Sequence, residues 1–388
     1  MTEGKPRPIE RQGGRYDLAE YGLALRIDLT KLESWKSKQP ERPQEKTLFT
    51  LTDNHPDGKT VALKIVEKLG SVDYLSEDDI EPKYNPDADE IRSLCLALEP
   101  HLIKEKAVAR PQGRTIVVGD IHGNLNDLWR IIHAWLSDVV GQGPKQNIIF
   151  LGDIVDRGDR QLECLILIMA YKTLFPEQVF ILRGNHEEGE INMKDFQQVM
   201  TDRGYRPSKT HDAVKARRQT NPPRKVDAID AIMAYFERLP VVGLIDGRIL
   251  CMHGMISMEL TKKMLQAGWD VLEGTYANMN RHLRWNDPSE KVEFCEVNNV
   301  RRYGMVLAPK TVAAAMGRLG VEFVLRGHQK MTNGVRRFAN LPVATVFSAS
   351  FYQKENFGAV LFVDPDRNAI VPIYIVSHDD ETTMDYHG

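Results

Sequence analysis

The sequence predicts a single α/β domain in which two mixed β-sheets pack into a sandwich that is flanked by helices. In the first half, short β-branched strands alternate with helical segments, as in βαβ units whose parallel strands lie under crossover helices. After Pro240 strands become more frequent and helices fewer, which indicates a second sheet packed on the first. A chain of 388 residues with 42% hydrophobic residues is long and apolar enough to bury one large core or two smaller ones.

The individual elements follow from local patterns. Apolar residues recur at helical spacing from Val61 to Leu69, and Gly70 stands where a C-cap glycine would; a second helix is predicted around 91–98. The next strands are predicted at 115–118, 148–151 and 179–182, and the helices between them at 125–135 and 161–171. The strands of the second half are predicted at 241–245, 249–252, 322–325, 344–347, 359–363 and 370–376.

Composition excludes several classes of protein. The chain has 51 Lys and Arg against 54 Asp and Glu, a net charge of −3, which argues against a non-specific nucleic-acid coat. No apolar run is long enough to span a bilayer, and residues 1–15 lack the apolar stretch of a signal peptide. The four cysteines are far apart and are expected to be reduced core thiols. We therefore expect a cytoplasmic or nuclear protein with neither a membrane span nor a nucleic-acid partner.

Three of the early strands are followed by polar clusters that begin with glycine. They read Gly-Asp-Ile-His-Gly at 119–123, Gly-Asp-Ile-Val-Asp-Arg-Gly at 152–158 and Gly-Asn-His-Glu at 184–187. Asp120, Asp153 and Asn185 follow one another at the length of one βαβ step, roughly 30 residues or a little more. The clusters should therefore meet at the carboxyl edge of a parallel sheet, where open α/β folds bind their ligands.

The residue types in these clusters suit metal ions. The candidate ligands are Asp120 and His122, the carboxylate of Asp153, which is able to bridge two ions, and the amide oxygen of Asn185. Two later histidines, His253 and His328, each directly follow a strand and complete the set. A lone Asp at a strand end is usually a turn or cap residue, and a lone His is usually a core residue, but their joint occurrence reverses that interpretation. Mixed oxygen and imidazole ligands favour Mn, Fe or Zn over Ca or Mg. We expect two divalent metal ions.

The order of these motifs resembles the phosphoprotein phosphatase family of Ser/Thr phosphatases, which includes type 1, type 2A and calcineurin. The series D-x-H-G, G-D-x-x-D-R-G and G-N-H-E is followed here by His-Gly at 253–254, Trp-Asn-Asp-Pro at 285–288, Gly-His at 327–328 and Phe-Ser-Ala at 347–349. The resemblance runs from about residue 60 to about residue 378. It implies a metallophosphoesterase-type fold with an N-terminal extension and linker at 1–46, a catalytic domain at 47–378 and an acidic tail at 379–388.

The resemblance also implies a role for each site residue. Asp120 and His122 would be ligands of the first metal, and Asp153 would bridge the two metals. Asn185, His253 and His328 would be ligands of the second metal. His186 would protonate the leaving oxygen and Asp156 would hold its imidazole. Arg157 and Arg301 would bind the phosphate, because a guanidinium pairs two phosphate oxygens at once. Asn185 would also take part in substrate binding, and Tyr352 would lie near the phosphate.

The expected function is hydrolysis of phosphomonoesters in phosphoproteins, with regulatory subunits as further partners. Two alternatives remain open: a small-substrate metallophosphoesterase of the dinucleoside polyphosphate hydrolase kind, and a weakly active phosphatase-fold scaffold. The sequence departs from the family pattern at Met255, where a second glycine is usual, and at 350–353, where Ser-Phe-Tyr-Gln replaces Pro-Asn-Tyr-Cys. These departures alter the rim of the site and not its ligands, so they bear on substrate choice more than on catalysis. The basic stretch at 206–225 is expected to be a surface loop.

Overall fold

The computed structural model describes residues 56–69, 84–136, 146–188, 194–205, 228–338, 341–350, 352 and 356–375. The expected N-terminal extension, the basic stretch at 206–225 and the acidic tail lie outside these residues, so the domain boundaries stay a prediction. Within the described ranges no helix is both long enough and apolar enough to cross a bilayer.

The helices are α1 (Gly58–Leu69), α2 (Ala88–Glu105), α3 (Leu125–Leu136), α4 (Gln161–Leu174), α5 (Lys194–Asp202), α6 (Ala228–Arg238), α7 (Lys262–Ala267), α8 (Ala277–Trp285) and α9 (Pro309–Leu319). The strands are β1 (Val108–Ala109), β2 (Thr115–Val118), β3 (Asn147–Phe150), β4 (Val179–Ile181), β5 (Val242–Ile245), β6 (Ile249–Met252), β7 (Asp287–Pro288), β8 (Cys295–Val297), β9 (Met305–Leu307), β10 (Phe323–Arg326), β11 (Val335–Arg337), β12 (Val343–Val346), β13 (Gly358–Asp364) and β14 (Ala369–Ile375).

The first sheet has the order β14-β13-β2-β3-β4. Its strands β2, β3 and β4 are parallel, with Thr115 opposite Asn147 and Ile148 opposite Val179. Helices α3 and α4 connect them, as βαβ units require. Strand β13 pairs antiparallel with β2, which makes the sheet mixed. The carboxyl ends of three parallel strands therefore lie side by side at one edge, as predicted.

The second sheet has the order β1-β5-β6-β10-β12-β11 and packs against the first. Side chains from both sheets, such as Val117, Ile149, Cys251 and Leu325, form one fully buried layer between them. The sheets approach so closely at Gly243 that a Cβ there would lie 2.5 Å from the Cδ1 of Ile149. A third sheet, β7-β9-β8, was not predicted. The predicted α/β sandwich is confirmed.

The outer face of the first sheet is covered by helices. Helix α4 is buried over nearly its whole circumference, because α1 and α2 pack on the side that the sheet leaves free. Its Lys172 is fully buried and donates to Glu105 of α2. Helix α2 begins with a capping box, in which the Asp87 carboxylate accepts the N–H of Glu90 and the Glu90 carboxylate accepts the N–H of Asp87.

The prediction for the cysteines was wrong at one position. Cys95, Cys164 and Cys251 are buried free thiols, whereas Cys295 is exposed on strand β8. All three residues of β8 are exposed, because this strand belongs to the small third sheet and has no core beneath it. The spacing of cysteines along the sequence does not show which of them lie in the core, because burial depends on where each strand is located in the fold.

Candidate active site

The three glycine-led clusters and both later histidines meet at one edge of the sandwich. Asp120, Asp153 and Asn185 follow β2, β3 and β4 of the first sheet, and His253 and His328 follow the parallel strands β6 and β10 of the second. A bridge between Asp120 and Phe347 joins the two sheets at this point. All five polar side chains are buried. The structure thus brings these five candidate metal ligands together at one edge.

The backbone at this edge is bent into the left-handed region at several side-chain-bearing residues. Positive φ angles occur at His122 (46°), Asp153 (55°), Asp156 (64°), Arg157 (78°) and His328 (70°). Glycine is the residue that ordinarily adopts this conformation without cost, and other residues hold it only where neighbouring contacts impose it. The bends turn the side chains toward a common centre at the ends of the strands.

Glu187 supplies some of those contacts. Its buried carboxylate accepts hydrogen bonds from the N–H groups of Asp153, Ile154 and Gly184, each at 2.8 Å. Gly152 has a φ of 101°, and a Cβ there would lie 2.2 Å from the nitrogen of Gly184, so only glycine fits where the two turns cross. Glu187 therefore fastens the turn after β3 to the turn after β4.

Four ligand atoms converge around His253. Its Nε2 lies 2.7 Å from Asn185 Oδ1, 3.1 Å from His328 Nδ1 and 3.2 Å from Asp153 Oδ1. The other ring nitrogen, Nδ1, lies 3.2 Å from the carbonyl oxygen of Leu151, which can accept its proton and leave the Nε2 lone pair free. Lone pairs converging from a carboxylate, an amide and two imidazoles would repel one another unless a cation lay among them. This donor set therefore fits a divalent metal ion.

A second group forms around the other oxygen of Asp153. His122 Nε2 lies 3.6 Å from Asp153 Oδ2 and 3.9 Å from Asp120 Oδ2, while its Nδ1 donates to the carbonyl of Val155 at 2.9 Å. Burial lowers the pKa of His122 to about 4, so the imidazole is neutral, the form that binds a metal. Asp153 is the residue common to both groups, as a bridging ligand would be.

The charges within the site are strongly coupled. Burial works to raise the pKa of Asp153, but the neighbouring His253 and His186 outweigh it and hold this pKa well below its usual range. Burial raises the pKa of Asp120 to about 6 and lowers that of His328 well below its usual range. Asp153 is thus ionised next to two histidines that favour its charge. His328 Nε2 is buried and has no hydrogen-bond partner among the described residues.

His186 lies beside this cluster, close enough to be a ligand by distance alone, since it groups with His122 and Asp153 within 4.8 Å. Its Nδ1, however, lies 2.7 Å from Asp156 Oδ2 and donates to it. Burial works to lower the pKa of His186, but Asp153 and Asp156 outweigh it and raise the pKa to about 9. A protonated imidazole cannot bind a metal, so its geometry suits a proton donor. Its Nε2 lies 3.9 Å from Asp153 Oδ2, facing the site.

The two arginines and the tyrosine lie at the rim. Arg157 is exposed, and Arg301 donates from Nη2 to the carbonyl oxygen of His328 at 2.8 Å. Tyr352 stacks on His122 with ring centroids 5.4 Å apart and an angle of 27° between the planes. Burial raises the pKa of Tyr352, and the charges of Arg157 and Arg301 act to lower it.

Sequence reasoning missed the residue that holds Arg301. Asp287 accepts from Arg301 Nε at 3.2 Å, from the fully buried Arg326 at 2.9 Å and from Asn298 at 3.0 Å. Asp287 belongs to the Trp-Asn-Asp-Pro motif, and Trp285 of the same motif lies edge-on against His328, with centroids 5.7 Å apart. The motif was recognised in the sequence, but nothing local to it shows which distant arginines it contacts.

A family model and one of the solved structures agree with this architecture. The family model for the calcineurin-like phosphoesterases matches residues 113–330. The solved structure of a protein serine/threonine phosphatase from Saccharomyces cerevisiae, described as similar to human phosphatase PP5, has 21% identity and a TM-score of 0.57, covering 74% of this chain and 90% of that chain. A hypothetical protein from Pyrococcus horikoshii has 13% identity and a TM-score of 0.38, covering 69% of this chain and 89% of that chain.

The two packed sheets and the shared donor edge define a metallophosphoesterase, a class of hydrolases that use divalent metal ions. Because the family model covers more than half of it, the chain belongs to the calcineurin-like phosphoesterase family. The resemblance and the fold expected from the motifs are confirmed.

Proposed function

We propose that this protein is a metal-dependent Ser/Thr protein phosphatase that hydrolyses phosphomonoesters in phosphoproteins. The observation that supports this most is the pairing of Asp287 with Arg301, whose guanidinium also donates to the His328 carbonyl. The Trp-Asn-Asp-Pro motif, which favours a protein phosphatase over a small-substrate relative, is thereby part of the site. The yeast phosphatase of similar fold is consistent with this proposal.

The proposed metal site consists of six residues in two groups that share one carboxylate. The residues are Asp120, His122, Asp153, Asn185, His253 and His328. Their oxygen and imidazole donors suit Mn, Fe or Zn. Two such ions would neutralise phosphate charge and lower the pKa of a bound water so that it can attack phosphorus.

The remaining residues act on the phosphate and the leaving group. Arg157 and Arg301 pair the phosphoryl oxygens and stabilise the charge that develops on them in the transition state. His186 donates its Nε2 proton to the departing Ser or Thr oxygen, which leaves as a neutral hydroxyl, and solvent restores the proton. Asp156 keeps Nδ1 protonated and the ring oriented, so that only Nε2 delivers the proton.

Three substrates distinguish this proposal from its alternatives. The Mn²⁺-loaded protein should hydrolyse p-nitrophenyl phosphate, and it should hydrolyse a phosphoserine peptide with a higher kcat/KM than a dinucleoside polyphosphate. A preference for the dinucleoside polyphosphate would contradict the proposal in favour of a small-substrate enzyme. Absence of turnover on all three, with metal bound, would indicate a scaffold. Asp153→Asn serves as the inactive control.

The same proposal includes a cytoplasmic or nuclear location and regulatory subunits as partners. The four cysteines of the chain are unpaired in the described residues, which suits a reducing compartment. Fractionation of cells that express a tagged protein, followed by mass spectrometry of co-purifying chains, tests both statements.

A further inference from the structure

Asp127, in the first turn of helix α3, is fully buried, and its carboxylate reaches across to a segment far along the chain. Its Oδ2 accepts the backbone N–H and the Oγ–H of Ser350, each at 2.6 Å, and the side-chain amide of Asn124 at 2.6 Å. Its Oδ1 accepts from Arg130 at 2.9 Å. One carboxylate oxygen therefore receives two hydrogen bonds from a single serine, which fixes both the backbone and the side chain of that residue.

The residues just before Ser350 are attached to the same part of the molecule. The N–H groups of Ser348 and Ala349 donate to the carbonyl oxygen of Asp120 at 3.1 and 2.9 Å. Asn124 also donates to the carbonyl of Ser350, at 3.2 Å. The end of β12 is thus joined, residue by residue, to the turn that carries Asp120 and to the start of α3.

Ser350 is the last of these attachment points before Tyr352. The Cα atoms of residues two positions apart lie at most about 7 Å from each other in an extended chain. Fixing Ser350 therefore restricts where the ring of Tyr352 can lie. The ring stacks on His122 and lies edge-on to Phe347, with centroids 5.2 Å apart. At this position the family pattern has proline, which carries neither an N–H nor a hydroxyl, so neither hydrogen bond to Asp127 could form there.

We infer that Asp127 is a positioning residue, which acts through Ser350 to hold Tyr352 over His122 and against the phosphate. This rests on the part of the proposed function that puts phosphate beside Tyr352, and not on the identity of the substrate. The Asp127 carboxylate binds Asn124, Arg130 and Ser350, so its effect on Tyr352 passes through Ser350. Loss of the clamp, meaning the Asp127–Ser350 contact, should weaken phosphate binding and raise KM while changing kcat less.

The test uses Ser350→Ala as the first variant, since it removes one hydrogen bond and leaves the Asp127 carboxylate and its other contacts in place. Inorganic phosphate is titrated calorimetrically into the Mn²⁺-loaded protein, and p-nitrophenyl phosphate kinetics are measured alongside. We expect phosphate Kd and KM each to rise about tenfold, the size of a lost contact to a charged group. Ser93→Ala is the matched control, because Ser93 is a buried serine on α2 whose hydroxyl has no partner among the described residues.

A double-mutant cycle with Tyr352→Phe separates a positioning role from a structural one. The cycle tests the part of the effect that the tyrosine hydroxyl carries: if the clamp serves to place that hydroxyl at the phosphate when the ring stacks on His122, Ser350→Ala should change phosphate Kd little once the hydroxyl is gone. Equal effects in both backgrounds, or an unchanged Kd in Ser350→Ala, would overturn the inference. Wild-type protein that binds phosphate but ignores phosphopeptides would count against the proposed substrate alone.

Hydrogen exchange provides a readout that needs no turnover. In Asp127→Asn the peptide containing residues 348–352 should exchange faster than in the wild type, since the Ser350 amide loses a charged acceptor. Exchange in helix α2 should not change. Unaltered protection of residues 348–352 would show that the clamp does not hold this segment, and would also overturn the inference.

Discussion

Replacement of His186 by asparagine tests whether this residue is the proton donor. Its Nδ1 is bound to Asp156 at 2.7 Å, so Nε2, on the side of Asp153, is the nitrogen that can deliver a proton. Asparagine can still donate a hydrogen bond but cannot transfer a proton. General acid catalysis contributes about 10²–10⁴-fold, which corresponds to about 2.7–5.4 kcal/mol at 1.36 kcal/mol for each factor of ten. We expect a loss in this range for a phosphoserine peptide.

The size of the loss should depend on the leaving group. A nitrophenolate leaves readily without a proton, whereas a serine alkoxide does not, so kcat for p-nitrophenyl phosphate should fall much less. The assay is a series of aryl phosphates with leaving groups of increasing pKa, ending with the phosphopeptide. His133→Asn is the matched control, because His133 packs against Trp129 on α3, with centroids 4.2 Å apart, and touches none of the proposed ligands.

The pH profile provides an independent check of the same residue. The pKa of His186 is raised to about 9, so the protonated acid is present below that pH and is lost as the pH rises through it. The wild-type rate on the phosphopeptide should therefore fall above about pH 9, and His186→Asn should lack this limb. An equal loss on every leaving group, or a loss of bound metal in the variant, would refute the role.

Three further outcomes are expected. Asp153→Asn should lose both metal ions and turnover, because both donor groups share this carboxylate. Metal analysis and p-nitrophenyl phosphate assays check this prediction, and a variant that is fully loaded with metal and active would contradict it. Asp287→Asn should weaken inhibition by inorganic phosphate, since Arg301 loses the charge that orients it, and an unchanged inhibition constant would argue against that contact. Glu105→Ala should lower the free energy of unfolding by about 3–5 kcal/mol, because it leaves the fully buried Lys172 without its charged partner. Urea unfolding measures this change, and a loss below about 1 kcal/mol would show that the pair contributes no more than an exposed ion pair.

The strands that lie in the core could be predicted from the sequence. Residues 115–118 form a β-branched run that ends at a glycine, and the structure has β2 at that position. Such strands are buried on both faces, so their apolar character is continuous and visible in one short window. The third sheet could not be found in this way. Strands β7, β8 and β9 have two or three residues each, which is too short for a periodic pattern to be recognised, and β8 is exposed along its whole length.

The grouping of the ligands was also predictable, and the reason is topological. Parallel strands joined by crossover helices place their carboxyl ends at one edge, so the order of the motifs alone brings their side chains together. The residues that support them are a different case. Asp127 contacts Ser350 from 223 positions away in the sequence, and Glu187 binds backbone N–H groups that any residue offers. Contacts of that kind leave no local pattern, so only the folded structure reveals them.

The left-handed residues of the site show why those hidden contacts are needed. A residue with a side chain costs of order 1–3 kcal/mol in such a conformation, whereas glycine adopts it freely. Glycine, however, has no ligand to offer, so Asp153 and His328 must occupy the strained positions themselves. At Asp153 the Glu187 carboxylate accepts the residue's own N–H and that of Ile154, and at His328 the Asp120 carboxylate accepts the N–H at 2.9 Å. Protein contacts thus offset the strain of the bends, so the geometry of the donor edge is set by the fold before any ligand binds.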